Sequence, residues 1–133
     1  MKKKCLSILC LLLLFVSVAL PVHAAEPSPR LVDNADYLTG SEETALLNKL
    51  DEISARQGLD IVIVTIPDLY GEDITAFADD FYDENGYQPD GILLLISDYD
   101  REWAISTAGY GITAFTDAGQ EYLTGQFLDA LSE

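Results

Sequence analysis

The sequence predicts a small layered α/β domain whose mixed central sheet has two parallel strands and an antiparallel hairpin strand, flanked by helices. Two apolar runs of strand length, residues 59–66 and 92–96, indicate strands that are covered on both faces. A segment with helical periodicity separates them, as in a right-handed crossover between parallel strands. Four polar residues, 98–101, then turn the chain into an alternating strand at 102–107.

The first helix is expected over residues 41–56. Thr39 and Glu42 stand three residues apart, which is the spacing of a capping box at a helix start. An apolar stripe at helical spacing follows, formed by Leu46, Leu47, Leu50 and Ile53. Gly58 is then placed to end the helix, because glycine adopts the left-handed conformation of a C-terminal cap at little cost.

Two further helices are expected after the first strand, which Pro67 stops. One starts near Asp73 and carries a buried face formed by Ile74, Phe77, Ala78, Phe81 and Tyr82. The other starts near Asp117, with Thr116 as its N-cap. Its apolar residues are Tyr122, Leu123, Phe127, Ala130 and Leu131.

The N-terminus has the pattern of a secretion signal at residues 1–24, followed by a short extended linker at 25–30 and one domain at 31–133. A basic start, an apolar core and a small residue at Ala24 are the features of such a signal. The protein is therefore expected to be extracytoplasmic, secreted or anchored at the cell membrane. Cys5, Cys10 and His23 all lie within this segment, so the mature chain would contain neither thiol nor imidazole. The alternative is an uncleaved anchor, although the apolar stretch is short for a membrane span.

The composition is strongly acidic, with 7 Lys+Arg against 23 Asp+Glu and a formal net charge of −16. Removal of the signal would take away three lysines and no acid, leaving the mature domain more negative still. Such a surface repels nucleic acid and anionic lipid headgroups. It attracts cations, and hard divalent ions in particular are held by clustered oxygen ligands.

Several carboxylates are expected at one end of the sheet and are candidates for a cation site: Asp68 and Asp98 follow predicted strands, and Asp33 lies in the segment that enters the first helix. Open α/β sheets bind ligands at the carboxyl ends of their strands. Asp33, Asp98 and Asp100 are expected to converge there on Ca²⁺ or Mg²⁺, with Asp68 at the same end. The chain lacks an EF-hand loop, so the ligands would come from separate loops. The alternative is that these are independent, solvated turn residues, because aspartate favours turns without any ligand.

Three other residues are candidates for binding. Arg101 is expected to pair with Asp98 or Asp100 as a structural clamp, the alternative being contact with a phosphate. Tyr110, between two glycines, is expected to be a packed aromatic rather than an exposed contact residue. Asp117 suits the first turn of its helix.

The predicted mature chain lacks the residues that most catalytic classes require. Without a histidine or cysteine beyond residue 24, Ser–His–Asp, histidine-phosphatase and thiol chemistry are all excluded for the mature protein. No glycine-rich phosphate loop with a lysine is present, and the sequence has no basic cluster for nucleic acid. Carboxylates, tyrosines and one arginine remain.

A family resemblance rests on the order of several short motifs. They are the G-I-L-L-L-I run from Gly91, Asp100-Arg101, Gly109-Tyr110-Gly111, Thr116-Asp117, and the V-D-N-A-D-Y-L-T segment at 32–39. Together they resemble the TPM domain, named after thylakoid-lumen, photosystem II repair and receptor-accessory proteins. The resemblance spans about residue 31 to the end. The family pattern continues with an F-x-x-G-D-Y segment and often a membrane-spanning tail, so the domain is expected to be truncated here.

The resemblance implies roles in the maintenance of membrane-protein complexes or the cell envelope, and in some plant members a metal-dependent phosphatase activity on phosphate monoesters. We rank a calcium-binding accessory module first, a metal-dependent phosphatase second and a structural secreted domain third. Membrane attachment would come only through a missing C-terminal segment or an uncleaved signal.

Overall fold

The computed structural model describes residue 26 and residues 28–131, with the backbone alone for 127–131. The predicted signal peptide and the side chains of Phe127, Ala130 and Leu131 lie outside the described residues. The elements, in chain order, are β1 (Leu31–Asp33), α1 (Gly40–Gln57), β2 (Asp60–Ile66), α2 (Ile74–Glu84), β3 (Gly91–Ser97), β4 (Glu102–Ala108), α3 (Gly111–Ala114) and α4 (Asp117–Leu131). Among the described residues, no helix combines the length and apolar character needed to cross a membrane.

The four strands form one sheet in the order β1-β2-β3-β4. Strands β1, β2 and β3 are parallel, with Leu31 opposite Ile63 and Asp60 opposite Gly91. Strand β4 returns antiparallel to β3. The predicted mixed α/β sheet is therefore confirmed, and β1 adds a third parallel strand that the sequence did not reveal.

The main core lies between one face of the sheet and α2. Alternate residues of β2 and β3 point to this face, and the fully buried Val62, Val64, Leu93 and Leu95 form its centre. Ala78 and Tyr82 on α2 pack against them. The helical stripe that began at Ile74 is thus the buried face of α2, as its periodicity indicated.

Helix α1 covers the opposite face over β1 and β2. Its capping box is formed: the Thr39 N–H donates to Glu42 Oε2 at 2.9 Å, and the Glu42 N–H donates to Thr39 Oγ1 at 3.4 Å. Gly58 ends the helix in the left-handed conformation, at φ 70°. Ser54 faces the sheet, and its hydroxyl accepts a hydrogen bond of 3.0 Å from the Ile61 N–H. These contacts fix where β2 begins.

A buried carboxylate joins the segment before β1 to the start of β2. The side chain of Asp60 is 3% exposed. Its Oδ1 accepts hydrogen bonds from Arg30 Nη2 at 2.6 Å and Nε at 2.9 Å, and its Oδ2 accepts one from the Gln88 N–H at 2.7 Å. Arg30 also pairs with the exposed Asp51 at 2.7 Å. Part of the predicted linker is therefore held against the domain.

The β4–α3 turn comes close to the start of β3, which explains two glycines there. A Cβ at Gly111 would overlap the backbone carbonyl of Gly91, and a Cβ at Gly91 would overlap the Tyr82 side chain. The Tyr82 hydroxyl donates to the Gln88 carbonyl at 2.8 Å. Only glycine allows the three segments to approach this closely.

Candidate functional site

Three loops meet at the edge of the sheet where β1, β2 and β3 end. They comprise residues 34–39, 67–73 and 98–101, and we call them the carboxyl-end loops. The Asp98 N–H donates to the Ile66 carbonyl and the Tyr99 N–H to the Pro67 carbonyl, both at 3.0 Å. The Ala35 N–H donates to Thr65 Oγ1 at 3.1 Å. These hydrogen bonds join each loop to β2 or to the residue that follows it, so the three loops form one continuous surface.

Asp33 is the last residue of β1 and lies opposite Thr65 of β2. Its Oδ1 accepts a short hydrogen bond from the Thr65 hydroxyl, and its Oδ2 accepts one of 2.7 Å from the Leu38 N–H. Partial burial raises the pKa of Asp33, but these bonds and one from the Tyr37 N–H outweigh it, and the pKa lies below its usual value. Asp33 is therefore ionised at neutral pH.

Asp100, in the turn after β3, is held by hydrogen bonds to β3 and to the loop after β2. Its Oδ2 accepts hydrogen bonds from the Ser97 hydroxyl at 2.6 Å and from the Leu69 N–H at 2.8 Å. The Ser97 bond, followed by the Leu69 bond, lowers the pKa of Asp100, with a small opposing effect of burial. Asp100 is thus also ionised, and it joins the turn after β3 to the loop after β2.

Asp98 is exposed and accepts a hydrogen bond of 2.6 Å from the Tyr37 hydroxyl. The pKa of Tyr37 rises to about 12, first because of burial and then because of the hydrogen bond and charge of Asp98. The charge of Arg101 opposes this rise, and the charge of Asp33 adds to it. The pKa of Tyr37 therefore depends on a carboxylate at the end of β1 and on one in the turn after β3.

The structure brings Asp33, Asp98 and Asp100 to the same end of the sheet, as the sequence indicated. Within the described residues, however, no three histidine, cysteine, aspartate or glutamate side chains are grouped closely enough to hold a metal ion as they stand. The carboxylates instead accept hydrogen bonds from hydroxyl and amide groups of the loops and of the strand ends. A cation would therefore have to share these oxygens with their present donors or complete its shell with water.

Asp68 and Arg101 lie in the same loops, but neither forms an ion pair with another described residue. Asp68 Oδ1 accepts a hydrogen bond of 2.6 Å from the Tyr70 N–H two residues along. Arg101 is exposed and has a left-handed backbone at φ 58°. In the part of the chain that the structure describes, ion pairs involve Arg30 alone. The expected clamp between Arg101 and Asp98 or Asp100 is therefore wrong.

Tyr110 and Asp117 lie away from these loops. The Tyr110 N–H donates to Asp90 Oδ1 at 2.6 Å, and Asp90 immediately precedes β3, at the opposite end of the sheet. The Tyr110 residue is 60% exposed, so the expectation that it packs is wrong. Asp117 is the first residue of α4, where a carboxylate suits the helix dipole. The Gly119 N–H donates to Thr116 Oγ1 at 3.4 Å, which agrees with the expected cap.

Sequence reasoning missed the tyrosines of the carboxyl-end loops. Tyr37, Tyr70 and Tyr99 are 47%, 85% and 77% exposed, and one belongs to each loop. Two non-glycine residues of these loops besides Arg101, namely Asp36 and Tyr70, also have left-handed backbones. The sequence placed Tyr70 and Tyr99 in loops that follow predicted strands, which was a usable signal for a shared surface; Tyr37 follows β1, which was not predicted.

Comparison with known proteins supports the family resemblance. The family model for the TPM domain matches residues 31–133. No curated protein has a significant match to this chain. Two solution structures are similar in fold. The N-terminal domain of a protein from P. gingivalis is 20% identical, with a TM-score of 0.66 over 77% of this chain and 68% of that one. The N-terminal domain of the cg2496 protein from Corynebacterium glutamicum is 19% identical, with a TM-score of 0.63 over 85% and 73%.

Proposed function

This chain belongs to the TPM domain family, and we propose that it is an extracytoplasmic accessory module that binds Ca²⁺ weakly at its carboxyl-end loops. The proposed role is the maintenance of a membrane-protein complex or of the cell envelope, without catalysis. The extracytoplasmic location is supported by the signal-like pattern of residues 1–24. The role in membrane-protein maintenance is supported by the family resemblance.

One observation carries the calcium proposal: the carboxylates at this end of the sheet accept their hydrogen bonds from neutral groups. Asp33, Asp98 and Asp100 accept their hydrogen bonds from hydroxyls and backbone amides. Among the described residues no lysine or arginine forms an ion pair with them. A carboxylate has two oxygens with two lone pairs each, so lone pairs remain available for a cation even on Asp100, whose Oδ2 accepts two hydrogen bonds. No ion pair among the described residues therefore neutralises these carboxylates, although Arg101 lies in the same loops.

The arrangement favours weak binding and calcium over magnesium. Calcium accepts variable geometry and mixes carboxylate, carbonyl and water oxygens, whereas magnesium demands a near-octahedral shell and loses water reluctantly. Because the described carboxylates are not grouped closely enough to form a shell as they stand, a cation would contact few of them directly. Extracellular calcium modules with such incomplete shells have dissociation constants of about 10⁻⁴–10⁻³ M. We propose an affinity in that range.

A metal-dependent phosphatase is the alternative proposal, and it would use the same cation. The described residues contain no histidine or cysteine, so a bound metal would have to polarise the phosphoryl oxygen or activate a water. The acidic loops would also repel a phosphate dianion until that metal was bound. For these reasons we place binding before catalysis, and a structural domain without ligand third.

Isothermal titration calorimetry with CaCl₂ and with MgCl₂ tests the proposal. We expect saturable heat with calcium and a clear loss of affinity in Asp98→Asn, because Asp98 is exposed and, among the described residues, accepts a hydrogen bond from Tyr37 alone. Asp83→Asn, which removes an exposed charge from α2, is the matched control and should bind as the wild type does. Equal losses in both variants would show that calcium is attracted only by diffuse surface acidity.

A further inference from the structure

We propose that the carboxyl-end loops are also a docking surface for a cationic, Lys/Arg-rich polypeptide segment, which contacts the three exposed tyrosines. This inference names the partner chemistry of the accessory module and rests on that proposed role, but it does not require calcium. The exposed tyrosine rings are the main evidence for this surface, and the acidic residues around them favour a positively charged partner. Tyr37, Tyr70 and Tyr99 each come from a different loop of the same surface.

The tyrosine rings are exposed although their backbones are fixed. The Tyr70 N–H donates to Asp68 Oδ1 at 2.6 Å, and the Tyr99 N–H donates to the Pro67 carbonyl at 3.0 Å. Tyrosine is common at protein interfaces because it offers a large contact area with few rotatable bonds. Rings carried on fixed loops lose little freedom on binding, so their contact energy is retained in the affinity.

Tyr70 stands at a position that a large side chain disfavours. Its backbone is left-handed, at φ 54°, a conformation that glycine or asparagine adopts at less cost. The adjacent Gly71 has φ 85°, so the turn already contains one glycine where it needs one. Folding does not require the Tyr70 ring, which is 85% exposed. A role in contact with another molecule explains why an aromatic residue occupies the position.

Charge determines which partner fits. Asp36 and Asp98 are exposed in these loops, and Asp68 is partly exposed beside Tyr70. Arg101 is the single basic residue in the three loops. Aromatic rings next to carboxylates favour ammonium and guanidinium groups, because a cation interacts with the ring face and with the carboxylate at the same time. Nucleic acid and anionic lipid carry the wrong sign.

The width of the surface indicates a polypeptide rather than a single small amine. The loops follow three neighbouring strands, and adjacent strands lie about 4.8 Å apart, so the surface is about 10 Å wide at its base. An extended peptide rises about 3.3 Å per residue and would present about three residues to it. Successive lysines or arginines could therefore contact more than one tyrosine and carboxylate at once.

Fluorescence anisotropy with labelled decalysine and decaarginine in EDTA and about 0.15 M salt tests this inference. We expect binding by the wild type and a 5- to 30-fold weaker affinity in Tyr70→Ala/Tyr99→Ala, from the loss of about two exposed cation–π contacts. The matched control is Tyr110→Ala/Tyr122→Ala. It removes two exposed tyrosines outside the carboxyl-end loops and leaves the net charge unchanged. This control should bind as the wild type does.

Equal losses of affinity in both double variants would overturn the inference. Wild-type affinity in Tyr70→Ala/Tyr99→Ala would also overturn it. Labelled decaglutamate should not bind, and comparable binding of that peptide would also overturn it. The EDTA condition separates this inference from the calcium proposal. Peptide binding in EDTA together with a featureless calcium titration would refute calcium binding and support the peptide surface. Calcium binding together with an unchanged peptide affinity in Tyr70→Ala/Tyr99→Ala would support the calcium proposal and refute the peptide surface.

Discussion

The carboxylate of Asp100 accepts a hydrogen bond of 2.8 Å from the backbone N–H of Leu69, which joins the turn after β3 to the loop after β2. The same oxygen accepts a second bond from the Ser97 hydroxyl at 2.6 Å. Leu69 itself is buried in the main core. A residue that the sequence suggested as a cation ligand is therefore also a structural link between two loops and the core.

Substitution of this link should destabilise the fold. We expect Asp100→Ala to lower the midpoint of urea unfolding, because the Ser97 hydroxyl and the Leu69 N–H would each lose a charged acceptor. Asp83→Ala, an exposed carboxylate on α2, is the control and should unfold close to the wild-type midpoint. Equal midpoints for both variants would show that the Asp100 contacts contribute nothing measurable to stability.

Stability should decrease in acid because the pKa values of Asp33 and Asp100 are lowered in the fold. A carboxyl whose folded pKa lies below its unfolded value of about 3.9 stabilises the fold above that value. The contribution is lost as the pH falls through the folded pKa. We therefore expect the difference in unfolding free energy between wild type and Asp33→Asn to shrink from about pH 6 to pH 2.5. A difference that stayed constant over this range would contradict the lowered pKa of Asp33.

The two partners of Arg30 should differ in their effect on stability. Asp60 is 3% exposed and accepts bonds from Arg30 and Gln88, so Asp60→Ala should cost about 1.5–3 kcal/mol of unfolding free energy. The side chain of Asp51 is 50% exposed, and Asp51→Ala should cost about 0–1 kcal/mol. Chemical denaturation of both variants measures the contrast. Comparable costs would show that burial of Asp60 does not decide the strength of this network.

Catalysis is expected to be absent without metal. In EDTA, the protein should hydrolyse an aryl phosphate no faster than buffer, because His23 and both cysteines precede residue 25 and no phosphate loop is present. Any activity should need Mg²⁺, Mn²⁺ or Ca²⁺ and should fall in Asp98→Asn. The measurement is the initial rate with EDTA and with each metal. Turnover in EDTA that survives removal of copurified phosphatases would favour the phosphatase proposal over the accessory module.

Local sequence signals predicted most of the fold. The capping box of Thr39 and Glu42 could be recognised in the sequence, as could the apolar stripe on α2, because the residues of each feature lie within a few positions of each other. The two buried strands were readable from continuous apolar runs. Strand β1 was not predicted, because Leu31–Asp33 has only three residues and becomes a strand through pairing with residues 63–65 of β2.

The candidate site was predicted less completely because its contacts link distant parts of the chain. The two predicted parallel strands placed Asp98 at one end of the sheet, and Asp33 was assigned to the same end because it lies in the segment that enters the first helix. No local pattern indicated that Tyr37 would donate to Asp98, 61 positions away. The left-handed turn residue Arg101 was assigned an ion pair from proximity in sequence, and adjacent positions in a turn do not guarantee that side chains meet.

The most direct test of the central claim is a calcium titration followed by two-dimensional ¹H–¹⁵N NMR. We expect saturable shifts, with a dissociation constant of about 10⁻⁴–10⁻³ M, at the amides of residues 34–39 and 98–101. The amides around the exposed acids of α2, Asp79, Asp80, Asp83 and Glu84, should move little. Shifts that spread over α2 as strongly as over the carboxyl-end loops, or that never saturate, would contradict a calcium site in this surface.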